Sequence, residues 1–144
     1  MKNIYKVDCD VFGVGIWLFI GTHKQANTYV KRVFDAELGG DKTNNGRSIF
    51  LMNDEGLQIN FIWISFFDES VEGIGILGHE CLHAATNTLH ECGVEMTYHT
   101  DEVLAYMQEF YFEGLLREIR RRNKYDHMSC SKNKTHLLAK RKEK

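Results

Sequence analysis

No proline occurs among the 144 residues, so the limits of helices and strands must be read from glycines and capping residues alone. Cysteine is sparse as well. Cys9, Cys81, Cys92 and Cys130 show neither C-x-x-C spacing nor tight clustering, which argues against a disulfide framework or a cysteine-built zinc site and favours a reducing compartment. Long apolar runs are missing too. The run from Val11 to Ile20 covers ten residues, half of what a membrane-spanning helix needs. Asp8 and Asp10 lie against it and no A-x-A-like cleavage site follows, so it does not read as a signal peptide. Basic charge is scarce over most of the chain: residues 1–116 hold 7 Lys/Arg against 17 Asp/Glu, whereas residues 117–144 hold 11 against 3. An acidic body therefore carries a basic end, which reads either as a solubilising segment or as a contact for nucleic acid or another acidic partner.

The length suits one domain with a single core. That domain is expected over residues 1–122, with a flexible basic tail over 123–144. From Phe12 to Ile20 the even positions are all apolar and Trp17 and Phe19 fill odd ones, the pattern of a strand buried on both faces. Thr22 can cap a helix running to about Leu38, ahead of Gly39-Gly40. Segments 48–52 and 57–65 flank Asn53-Asp54-Glu55-Gly56 and predict an antiparallel hairpin. Ser70 offers a cap for a helix to about Glu91, with Glu72 in its first turn and Gly93 beyond its end. A further helix is expected from about Thr100 to Arg122, packed through Leu104, Met107, Tyr111, Leu115 and Ile119. The expected class is α+β.

The segment His79-Glu80-Cys81-Leu82-His83 carries the chemistry. Two imidazoles four residues apart project from one helix face and can hold one metal ion, while the carboxylate between them suits a general base acting on the ion's water. Glu80 is the only formally charged residue from Gly73 to Leu89, so the helix reads as buried almost all round, and a lone buried carboxylate there calls for a neighbouring cation. His90 is seven residues past His83, a rise of about 10 Å that is too long for a shared ion. The metzincin continuation would need glycine where Thr86 stands and histidine where Leu89 stands. Glu102, at the start of the next helix, is the preferred third ligand and His99 the second choice.

His79-Glu80-Cys81-Leu82-His83 followed by Asp101-Glu102-Val103-Leu104-Ala105 resembles the gluzincin metallopeptidases, above all their compact forms: the repressor-cleaving ImmA type and the small H-E-x-x-H proteins of bacteriophage genomes. The likeness covers residues 70–112. It implies a minimal zincin-like fold, with a small antiparallel or mixed sheet against the H-E-x-x-H helix and a second ligand-bearing helix. It further implies Zn2+ on His79, His83 and Glu102, with Glu80 as catalytic base, and Ala105 as the small residue that lets the two helices approach. Tyr98, His99 and Tyr106 are candidates for stabilising the transition state. The activity so implied is hydrolysis of a peptide bond in a protein or peptide substrate, in the cytoplasm of a bacterium or a phage-infected cell, and the strand over 57–64 is the one expected to align the substrate by its edge. Two other classes fit the same residues. One is a non-catalytic, zinc-stabilised binding or regulatory protein whose basic tail contacts nucleic acid or an acidic partner; the other is a non-proteolytic zinc amidase.

Overall fold

A computed structural model describes residues 3–40 and 44–140, with side chains through residue 125. The elements run β1 (Ile4–Val7), β2 (Gly15–Ile20), α1 (His23–Phe34), β3 (Gly46–Met52), β4 (Gln58–Ile64), α2 (Val71–Glu91) and α3 (Asp101–Lys140). The four strands form one mixed sheet in the order β1-β2-β4-β3. β2 and β4 are parallel, with Trp17 beside Phe61 and Phe19 beside Trp63, while β1 and β3 pair antiparallel on the outside. The chain is α+β, as its pattern of elements predicts.

Alternation along β2 and β4 explains the layering, because successive side chains leave a strand on opposite faces. Ile16, Leu18, Ile62 and Ile64 pack with Leu77, Cys81, Ala84 and Ala85 of α2 and with Met107, Tyr111, Leu115 and Ile119 of α3. Trp17, Phe19, Ile59, Phe61 and Trp63 meet Ala26, Tyr29, Val30 and Phe34 of α1 on the other face. The sheet therefore has α1 on one side and the α2–α3 pair on the other. Phe67 packs on the core while Phe66 stays 41 % exposed, so the aromatic run after β4 is only partly internal.

Several limits differ from those read in the sequence. β2 starts at Gly15 rather than Phe12, because residues 10–12 form a turn that leads back from the unforeseen strand β1. Four residues were too few to show a clear alternation. α1 stops at Phe34, where Asp35 adopts a left-handed conformation, and the Leu38 N–H is taken up by Asn27 Oδ1 at 2.7 Å. α3 was expected to end near Arg122, yet its backbone stays helical to Lys140. No glycine follows Gly114 and no proline occurs, so nothing in the sequence breaks the helix. Of the expected basic tail, the side chains from residue 126 and all of residues 141–144 lie outside the described residues, as does the part of the polar loop at residues 41–43. Among the described residues no helix is long and apolar enough to cross a membrane.

Candidate metal centre

α2 begins where the sequence places it: Ser70 caps it by accepting from the Gly73 N–H, and Glu72 lies in the first turn. Its burial is not all-round, however. Leu77, Glu80, Cys81, Ala84, Thr88 and Leu89 face the core, while Gly75, His79, Leu82 and His83 form an exposed strip. The boundary between the two faces runs between His79 and Glu80. That division lets one helix turn offer two nitrogens outward and a carboxylate inward.

His79 Nε2 and His83 Nε2 lie 3.1 Å apart, with the rings at 82° to each other. Two imidazole nitrogens bound tetrahedrally to one zinc ion stand about 3.3 Å apart, given bonds of about 2.05 Å. The pair fits that spacing. Two neutral rings can also share a hydrogen bond at 3.1 Å if one carries its proton on Nε2. Both arrangements point the nitrogens at one spot beside α2.

Glu80 is 6 % exposed. Its Oε2 is buried with no hydrogen-bond partner among the described residues. Burial holds the carboxyl above the usual carboxylate range, and the positive charge of His79 and then of Arg47 partly offsets the rise. A buried carboxylate with an empty lone pair is costly and calls for a proton or a cation. The first residue of β3 makes room for it: a Cβ on Gly46 would stand 2.8 Å from Glu80 Oε1 and 3.0 Å from its Cγ. A pocket of about 460 Å3 opens there, lined by Asn44, Asn45, Gly46, Gly75, Ile76, His79 and Glu80. Cys81 turns into the core, where burial pushes its thiol up to about 12. It is a small packed group, as expected, and no thiolate ligand.

Glu102 is exposed in the first turn of α3. Among the described residues no group of three or more His, Cys, Asp or Glu is drawn together tightly enough to hold a metal ion. His79 and His83 are brought together; Glu102 and His99 are not gathered with them. Ala105, one turn beyond Glu102, lines a groove with Gly78, Gln108, Glu109 and Phe112, and Gln108 Nε2 donates to the Gly78 carbonyl at 3.1 Å. The start of α3 thus runs alongside α2 near the H-E-x-x-H turn, with small residues on both sides of the contact.

Of the three candidates for transition-state stabilisation, Tyr98 is 86 % exposed in the α2–α3 loop and its ring lies against His99. Tyr106 faces a different groove, with Val11, Phe12, Val103, Met107 and Phe110. None of the three lines the pocket at Glu80. Sequence reasoning missed Gly46, Gly75 and the Asn44-Asn45 rim, since a glycine at a strand start or inside a helix carries no functional signal until its neighbours are known. It also missed a buried chain of hydrogen bonds behind the site. Asn60 Nδ2 donates to Thr88 Oγ1 at 2.7 Å, Thr88 Oγ1 lies 2.7 Å from Tyr111 Oη, and that hydroxyl reaches the Val14 carbonyl at 3.0 Å. A lone asparagine between Ile59 and Phe61 was the available hint. No family model, curated protein or solved structure matches the chain.

Proposed function

We propose that the chain is a minimal zincin-like hydrolase that cleaves a peptide bond in a protein or peptide, with His79 and His83 as zinc ligands, Glu102 completing the set from α3, and Glu80 as general base. The observation that carries this reading is the arrangement on one turn of α2: two convergent imidazole nitrogens 3.1 Å apart, beside a buried carboxylate with an unpartnered oxygen. Zinc in such a site polarises a carbonyl and lowers the pKa of its water. Glu80, next to His79 on the same turn and with an unpartnered oxygen, would be placed to take that water's proton and pass it to the leaving amine. Exposure of both histidines favours an open, catalytic site over a closed structural one.

The sheet supports a peptide substrate, though by a different strand from the one the sequence suggested. β4 is internal, paired with β2 and β3, and so has no free edge. β3 is the terminal strand on that side, and a side chain on its first residue would collide with Glu80. An extended peptide added to β3 would pass the catalytic carboxylate, which favours a peptidase over a zinc amidase acting on an isolated amide. The cytoplasmic setting, in a bacterium or a phage-infected cell, comes with the family resemblance and agrees with unpaired thiols at Cys9, Cys81 and Cys92.

Elemental analysis of the purified protein is expected to find one zinc per chain, with peptide hydrolysis abolished by a chelator and restored by zinc. His79→Ala and Glu102→Ala should each reduce zinc occupancy, and full occupancy in either variant would overturn the ligand set.

A further inference from the structure

Glycine inside a helix is unfavourable by close to 1 kcal/mol relative to alanine, so each helical glycine invites a structural reason. Of the twelve glycines in the chain, six adopt positive φ, which explains them. Gly15, Gly46, Gly73, Gly78 and Gly114 each have an atom of another residue within 4 Å of where a Cβ would stand. Gly75 has neither reason: it is helical and the space over it is open, whereas a Cβ on Gly78, the other helical glycine without a close neighbour, would still meet the Phe112 ring at 3.9 Å.

That open space belongs to the pocket at the catalytic carboxylate. Gly75 precedes His79 by one turn and shares the pocket wall with Gly46, Ile76 and Glu80. The pocket is lined by Glu80, whose Oε2 is buried without a hydrogen-bond partner among the described residues, by two glycines that put no side chain into it, and by Asn44 and Asn45. Its volume of about 460 Å3 exceeds what a small side chain would fill. Among the described residues no Lys or Arg lines it, and its only ionisable groups are the His79 imidazole and the Glu80 carboxyl.

We propose that the hollow over Gly75 is a specificity subsite, which receives a bulky, uncharged side chain of the residue next to the scissile bond. Its stem rests on Ile76 and the glycine backbone, and a hydrogen-bonding tip meets the carboxamide rim. Charged side chains are selected against, because an anion there would face Glu80 and a cation would divert it from its proton-transfer role. This inference rests on the hydrolase reading above.

The test is cleavage of a randomised peptide library by the zinc-loaded full chain, with cut sites identified by mass spectrometry, for the wild type, Gly75→Ala and Gly75→Leu. The wild type should cut beside bulky uncharged residues. Gly75→Leu should keep its zinc and unfold no lower than the wild type, lose roughly tenfold or more in kcat/KM on those peptides, and shift its cut sites towards glycine and alanine. Gly75→Ala should unfold at a higher temperature and show an intermediate shift. If Gly75→Leu cleaves the same sites with unchanged kcat/KM, the subsite is overturned while the hydrolase reading stands. If the zinc-loaded wild type cuts nothing in the library, the hydrolase reading falls and takes the subsite with it.

Discussion

Glu80 faces two demands that conflict in the metal-free protein and agree in the loaded one. Without a cation, its buried carboxyl titrates above the usual range because ionisation there is poorly solvated. A folded-state pKa above the unfolded value means that the native state binds the proton more tightly. The associated stability is complete below the unfolded pKa of about 4.3 and is lost as pH rises through the folded value. Chelator-treated Glu80→Gln should therefore be more stable than wild type at neutral pH, and the gap should close towards pH 4, as read from urea midpoints over a pH series. The same variant should keep its zinc and lose roughly 100- to 10,000-fold in turnover. A metal-free wild type as stable as Glu80→Gln at pH 7 would mean that the carboxyl has found a partner in solution.

At the scale of elements, the two helices that form the site are held in register by polar atoms rather than by apolar contact alone. Tyr111 of α3 reaches Thr88 of α2 and the Val14 carbonyl just before β2, and burial pushes its hydroxyl up to about 12. Tyr111→Phe keeps the ring and removes the hydroxyl. It should cost about 1–3 kcal/mol, the penalty for stranding buried partners, and denaturant unfolding measures it; a loss below about 0.5 kcal/mol would show that water replaces the hydroxyl. This network also marks what was legible in advance. The H-E-x-x-H helix, its Ser70 cap, the β3–β4 hairpin and the buried stripe of α3 all follow from local spacing. What was not legible depends on residues far apart in sequence: the pairing of β1 with β2, the edge position of β3, and the closeness of Gly46 to Glu80, 34 residues on. Glu102 belongs to the same group, since its place relative to His79 and His83 depends on how the loop after Gly93 returns the chain.

Across the whole molecule, charge and packing divide at nearly the same place on α3. Among the described residues Ile119 is the last of the helix in the core, and Arg122 bonds the Ile4 carbonyl and lies 4.8 Å from the Tyr5 ring centre. Beyond it, residues 124–144 hold 7 Lys/Arg and 2 Asp/Glu, while the rest of the chain holds 11 and 18. Deleting residues 124–144 should leave the unfolding temperature and the zinc content of the body unchanged, because it keeps every residue of the two core clusters among the described residues. The two readings of the basic segment separate in a salt titration of binding to a random-sequence DNA duplex. If the segment grips a polyanion, full-length protein binds with log K falling linearly in log salt, at a slope of about −0.9 for each phosphate neutralised, and the deletion abolishes binding, since what remains is strongly acidic and repelled by phosphate. If the segment only solubilises, neither form binds and the deletion lowers solubility near the shifted isoelectric point. Affinity that survives the deletion with its salt slope intact would remove the segment from nucleic-acid recognition and place the contact on the acidic body, against the charge carried there.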